Sequence, residues 1–470
     1  MKRQIWKDSI EERRERYREI LSKAPLLEVP CIQDSVPGAK TEVPCILLGT
    51  SEDAKDYVID TIANYVTGPA LYAYIDWVIR SAVEAGQKRL YFLARDGYLM
   101  YHAAKIYCEE KYIDMDCRYL YCSRYALRIP MYHLNQAETM EYICRNGIHI
   151  TPVRVLRRSG MDAAFCRQLA KKYFPQWDPD QELNRQELSQ LATQLKNNDG
   201  FWELCEAHSK KIYPEAETYL VQEGLLDDVP YALVDSGWIG SMQKTLGQLL
   251  KHIQGKEVSL HGYYWGLYDL PEGMDKDAYS AYYFGVSTGE SEKIAFNNNL
   301  FEVLFSAPHG MTIGYQDGKP RFGKTDERQV ALIQAVEPHL MQYIKDISGK
   351  TTQDRSRYHS IIRELFDCFM CHPTKEEAET FGSVSFSDDI FAETDQRLAE
   401  PVSEEALNSN HPMQKMLLAS GIKHGTEHIL AWYEGCAVLS GGNIDKHLKA
   451  WQTYKKLLTK KQERNWRNKS

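Results

Sequence analysis

The run Leu233-Val234-Asp235-Ser236-Gly237-Trp238-Ile239-Gly240-Ser241 places an acid at the end of an apolar strand, two glycines in a turn and a serine where a helix begins. Such an order suits phosphate. Glycines let backbone approach a ligand, and the first amides of a helix attract an anion. Asp235 would repel a bare phosphate, so its chemistry is with sugar hydroxyls, or with a Mg2+ ion held between it and a diphosphate. Ser236, Gly237, Trp238, Gly240 and Ser241 would line that ligand. The plainer explanation is a strand-to-helix turn with a capping serine. Trp238, bulky where a small residue would turn the chain more simply, favours a site.

The same grammar occurs earlier. A strand over 89–94 runs into Arg95-Asp96-Gly97, and a helix follows to about Lys111. Arg95 is a fork-shaped donor for phosphate or carboxylate, Asp96 a base or metal ligand, and Gly97 opens the helix. An Arg–Asp pair that merely pins the loop is the structural alternative. The next strand, expected over 118–123, leaves Ser123 and Arg124 at the same edge. Three adjacent polar strand tips predict one site, with Asp96 and Asp235 as acid–base residues and the others as ligand contacts.

These tips need a parallel sheet to bring them together. The strand, helix, strand order predicts an α/β fold: a doubly wound, mainly parallel sheet with a helical insertion and a helical carboxyl-terminal region. The expected divisions are a basic helix and proline-rich linker (1–50), the first half of the α/β domain (51–134), the insertion (135–226), the second half (227–325) and the helical region (326–470). Two helices are expected between 53 and 85, broken at Thr67-Gly68-Pro69. Helix starts are expected at Thr151-Pro152 and near Asp178, and turns at Gly147, Gly160 and Gly200. Further strands are expected over 231–235, 258–267 and 280–285, a helix over 301–310, and a hairpin over 312–321 turning at Asp317-Gly318. The insertion is placed to cap the carboxyl edge of the strands or to pack as a unit of its own. The stretches 24–50 and 374–403 read as linker and loop.

The 470 residues, 43% hydrophobic and 26% charged, have the composition of a folded globular chain. A net charge of −8 argues against nucleic-acid binding. Basic residues gather instead at the two ends, and Trp451, Tyr454 and Leu458 form a stripe on the last helix that could meet a protein partner. The first residues lack an apolar leader, no apolar run is long enough to span a bilayer, and the 11 cysteines are an odd, scattered set. A cytoplasmic location is the expectation. Cys368-Phe369-Met370-Cys371-His372 spells a haem-attachment pattern inside a helical, apolar run, a context that does not suit that chemistry.

At 91–98, 121–127, 234–243 and 304–310 the chain resembles a bacterial family of predicted haloacid-dehalogenase-type (HAD-like) hydrolases, whose members often lie in surface-polysaccharide gene clusters. The similarity covers roughly 55–325 and falls in the region after their hydrolase domain. That region carries no activity over to this chain, and the expectation of a HAD-like, Rossmann-like protein binding a phosphorylated sugar or nucleotide-type ligand rests on the strand-tip residues. The nucleophile of haloacid-dehalogenase-type chemistry is an Asp two residues before the acid–base Asp, and here Ala94 stands in its place before Asp96. Leu233–Gly237 with Gly240-Ser241 is similar, more distantly, to the phosphoribosyl-diphosphate loop of type I phosphoribosyltransferases, with Ser236 replacing the second acid. A hydrolase, a glycosyl or phosphoribosyl transferase, and a non-catalytic scaffold of polysaccharide enzymes are the resulting expectations.

Overall fold

The computed structural model describes residues 4–24, 27, 51–145, 150–350, 355–385, 396–412, 414 and 430–469. Nearly all of the expected linker over 24–50, the turn at Gly147 and residues 386–395 of the expected loop over 374–403 lie outside the described residues; the start of that loop is instead a helix, Lys375–Gly382, opened by a Thr374/Glu377 capping box.

Five strands, β1 (Arg89–Leu93), β2 (Asp116–Leu120), β3 (Tyr231–Trp238), β4 (His261–Leu267) and β5 (Tyr279–Phe284), form one sheet in the order β2-β1-β3-β4-β5. Every pairing in it is parallel. Side chains alternate between its faces, and both faces are covered. Leu90 and Phe92 of β1, Ala232 and Val234 of β3, and Tyr263 and Trp265 of β4 join a core shared with helices Gly68–Glu84, Gly97–Glu110 and Glu327–Ser348. Tyr91, Leu93, Leu120 and Leu233 face the other way, against helices Asp199–Gln222 and Ser241–Gln254. Strands buried on both sides read as nearly unbroken apolar runs, as these do.

The chain winds outward from β1 to β2, then returns to start β3 on the other side of β1. The helix after β1 and the helix after β3 therefore lie on opposite faces, and the crevice between them opens at the carboxyl ends of β1 and β3.

Several boundaries differ from expectation for local reasons. β2 stops at Leu120, because Ser123 is already the N-cap of helix Arg124–Arg128 and accepts from the Ala126 amide. β3 continues three residues past Asp235, since Gly237 and Trp238 pair with Gly266 and Leu267 of β4. Thr67-Gly68-Pro69 does not break the helix. A π-turn over Ala63–Thr67 absorbs the proline, and the chain runs helical from Ser51 to Glu84. The helix expected near Asp178 starts at Arg185, capped by Asn184, and Gly200 lies inside helix Asp199–Gln222. The helix expected over 301–310 is Asn298–Leu304, and the strand expected from 258 starts at His261. The hairpin forms as expected from β6 (Thr312–Gln316) and β7 (Lys319–Phe322), with Asp317 and Gly318 both at positive φ.

The insertion has its own core, built on Leu156, Cys166, Leu191 and Phe201. The basic ends are tied down as well. Helix Ile10–Leu21 starts with a Ser9/Glu12 capping box and buries Arg13 and Tyr17 completely. Arg13 reaches into the haem-like run: its Nη2 donates to the His372 carbonyl at 2.7 Å, and its Nη1 to the Cys368 carbonyl at 3.3 Å. Its Nε lies 3.8 Å from Glu377, whose carboxyl burial pushes up and which accepts from Tyr17. In the last helix, Ile444–Lys469, Trp451 stacks on Tyr433 and Lys455 pairs with Glu434 at 2.9 Å. Part of the stripe expected to meet a partner is thus covered by the chain itself. No helix among the described residues is long and apolar enough to cross a membrane.

Arg13→Ala should cost about 3–5 kcal/mol, the range for removing one member of a buried ion pair, because Glu377 loses its buried countercharge and the carbonyls of Ile5, Cys368 and His372 lose a donor. Urea denaturation measures it. A loss below about 1 kcal/mol would mean that the Arg13 contacts do not anchor the amino-terminal helix.

Candidate functional site

Phe92 of β1 pairs with Val234 of β3, so the chain leaves β1 through Arg95-Asp96 just where β3 presents Asp235 and Ser236. Because β3 runs past the end of β1, its last residues have β4 on one side and the 94–96 loop on the other. The acids meet there. Ser236 Oγ donates a hydrogen bond to Asp96 Oδ2, and Asp96 makes no capping bond to the helix that follows it. Its carboxylate is therefore used across the crevice rather than for its own helix end.

A third acid completes the group. Glu302 projects from helix Asn298–Leu304, whose neighbouring residues Phe301, Val303 and Leu304 are buried. It accepts from Trp238 Nε1 at 2.5 Å. Burial, and then the charge of Asp96, push its carboxyl up to about 8. The same two causes, in the same order, hold Asp235 well above the usual carboxylate range, and burial raises Asp96. All three acids are thus held above their ordinary range, Glu302 and Asp235 by burial and by the charge of Asp96, and Asp96 by burial.

Two cations face them. Arg95 and Arg124 are exposed and lower the acids' proton affinity by their charge, yet neither guanidinium makes a hydrogen bond or ion pair with any described residue. Free forks beside part-protonated carboxyls leave donor capacity for an incoming anion.

The remaining expected residues divide. Gly97 packs helix to strand, since a Cβ there would lie 2.9 Å from the Phe92 carbonyl carbon. Ser123 has its hydroxyl engaged twice, accepting as the N-cap and donating to the Thr312 carbonyl at 2.6 Å. Gly240 is needed because a Cβ would meet the Tyr279 ring at 2.5 Å, and Gly237 because one would meet the Gly266 carbonyl at 2.6 Å. These glycines answer to neighbouring strands. Ser241 opens its helix without capping it, the N-cap being Gly240 in a left-handed conformation. Trp238 sits at φ 63°, a conformation costing a bulky residue roughly 1–3 kcal/mol, and is held by its bond to Glu302 and by the Phe296 and Phe301 rings.

Glu302 is the site residue that the sequence reading missed. The signal was a lone charge inside the otherwise apolar run 300–305, which a core-facing helix does not carry without a use for it.

Arg95 and Glu302 form the inner wall of a cleft of about 1560 Å3. Further lining comes from the insertion, with Met161, Phe165 and Leu204, from Ile129 just before it, and from His309, Met311, Ile313 and Tyr315. The insertion therefore has its own core and also roofs the strand edge. His309 joins Tyr119 through Nε2 at 2.8 Å, and burial keeps the imidazole neutral to lower pH than usual. Among the described residues no group of three or more His, Cys, Asp or Glu side chains is arranged to hold a metal ion. A Mg2+ here would need ligand oxygens beside Asp235.

Fold and site define a doubly wound α/β protein with an acid cluster at its topological switch point. No protein-family model matches the chain, and no curated protein matches it.

The raised Glu302 has a testable sign. The folded protein keeps a proton that the unfolded chain releases near 4.5, so stability falls as pH rises from there through about 8. Glu302→Gln keeps the acceptor for Trp238 and removes this loss. Relative to the parent it should gain on the order of 2 kcal/mol between pH 5 and pH 9, less than the full shift would give because Glu302 keeps some contact with solvent. Chemical melts at both pH values decide it, and equal slopes would remove Glu302 from the cluster.

Proposed function

We propose that the protein binds a phosphorylated sugar or nucleotide-type ligand at the carboxyl edge of β1 and β3, beneath the helical insertion. The observation that carries this reading is the meeting of three acids of raised proton affinity, Asp96, Asp235 and Glu302, with two unengaged guanidiniums, Arg95 and Arg124, at the strand tips. The arginines take the anionic group. The carboxyls, where protonated, donate to phosphate or bridging oxygens, and where ionised accept from sugar hydroxyls or share a Mg2+ with the phosphates. Asp96 and Asp235 are then the acid–base pair of a transfer or hydrolysis at that oxygen. With Ala94 before Asp96, hydrolysis through an aspartyl intermediate is not the route proposed. A transferase of the phosphoribosyl or glycosyl kind fits the same groups, in a cytoplasmic protein of surface-polysaccharide synthesis.

A scaffold role has one observation in its favour. Leu457 and Leu458 of the terminal basic helix are 49% and 38% exposed. Truncation after residue 449 that abolishes recovery of partner enzymes, with Asp235→Asn harmless in cells, would replace the ligand reading.

Thermal-shift screening of sugar phosphates, nucleotide sugars and phosphoribosyl diphosphate, with and without Mg2+, should find a ligand that stabilises the fold more with the metal present. Arg95→Ala should weaken it by about 1.5–3 kcal/mol, the range for a charge-assisted contact, without lowering the melting temperature of the free protein. No shift across the set in folded protein would end the proposal.

A further inference from the structure

The cleft is larger than a sugar phosphate requires, since small-molecule sites usually enclose about 300–1,000 Å3. Its two ends differ in chemistry. The inner end holds Arg95, Glu302 and His309. The outer end, on the insertion, sets the half-buried side chains of Phe165, Leu204 and Ile212 beside the exposed Lys211 and the half-buried His208. The same lining includes the exposed Arg321 of β7, Lys324 after it and Arg328 at the start of helix Glu327–Ser348. The lining carries six Lys or Arg against four acids, in a chain whose net charge is −8. An electropositive cleft in an acidic protein concentrates anions.

We infer that the outer end is a second subsite, that it takes the nucleoside of a nucleoside-diphosphate sugar, and that Phe165, Leu204 and Lys211 are its specificity-determining residues. The inference rests on the strand-tip site proposed above and extends it to the substrate class. The diphosphate would lie between the two ends, along the cationic lining. A flat base suits a wall where aromatic and aliphatic side chains alternate with polar ones, because it offers a face to the former and hydrogen-bonding edges to the latter. A prenyl chain would be served by an unbroken apolar wall. Here Lys211 and His208 interrupt it. The insertion would thus read the part of the substrate that does not react, while the strand tips hold the part that does.

Titration calorimetry at low salt on the full chain would compare UDP-glucose, ADP-glucose and GDP-mannose with glucose 1-phosphate, mannose 1-phosphate and farnesyl diphosphate. At least one nucleotide sugar should bind tenfold or more tightly than its sugar phosphate. Phe165→Ala and Lys211→Ala should each remove most of that advantage and leave sugar-phosphate affinity unchanged. Sugar phosphates that bind as tightly as the nucleotide sugars would overturn the second subsite and spare the strand-tip reading, whereas no binding by any probe would overturn both. Farnesyl diphosphate as the tightest ligand would overturn the nucleoside assignment. A nucleotide-sugar advantage untouched by either variant would overturn its placement on the insertion. Circular dichroism and melting curves of Phe165→Ala and Lys211→Ala that match the parent would show that both variants fold, so that a lost advantage reports on the subsite.

Discussion

A parallel sheet covered by helices on both faces can meet a ligand only at its strand ends, and this constraint arranges everything else in the molecule. Leu90 and Phe92 face one layer and Tyr91 and Leu93 the other, so no position along the body of β1 is free for chemistry. Polar groups leave the sheet where pairing stops. The strand order then separates the two covering helices at β1 and β3, and the tips of those strands become the walls of a crevice.

Crowding acids into that crevice is unfavourable, and the structure offsets the cost in three ways. Ser236 donates to Asp96 and Trp238 to Glu302, so two of the carboxyls have fixed donors. Arg95 and Arg124 supply opposite charge. What remains shows in their proton affinities: burial raises all three acids, and repulsion by Asp96 adds to the rise of Asp235 and Glu302. The strained backbone at Trp238 belongs to the same arrangement, because its left-handed conformation is what aims the indole N–H at Glu302. A turn serving only connectivity would not hold a tryptophan there.

The helical insertion resolves a similar conflict at larger scale. Its inner helices bury Leu156, Leu169 and Leu191 in a cluster that also takes in Tyr125 and Ile129 just before the insertion and Phe201 at the start of its last helix. Its last helix, Asp199–Gln222, instead sends Ala216, Tyr219 and Leu220 to the sheet. One helix therefore belongs to both bodies and fixes the roof over the strand edge. At the far side, the amino-terminal helix, the Cys368–His372 run and the carboxyl-terminal helix are held by buried charges, Arg13 with Glu377 and Lys455 with Glu434. Those basic ends looked solvated because charge counts do not show which lysine or arginine is the buried one.

The sequence alone determined the fold class, the strands of the sheet, the Asp317-Gly318 hairpin and the two tips that bear Asp96 and Asp235. All of these are local signals: apolar runs bounded by turn residues, and acids just past a strand end. It also carried boundaries astray where pairing or packing decides, as at β3, which β4 lengthens through Trp238, and at Thr67-Gly68-Pro69, where a π-turn keeps the helix going. Only tertiary structure decided that Gly237 and Gly240 lie so close to Gly266 and Tyr279 that a Cβ would clash there. Nor could the sequence show that the Ser123 hydroxyl is spent on a cap, or that Glu302 joins acids 206 and 67 residues before it. Those facts depend on which surfaces meet when the sheet is assembled, and no window of sequence contains both sides of such a contact.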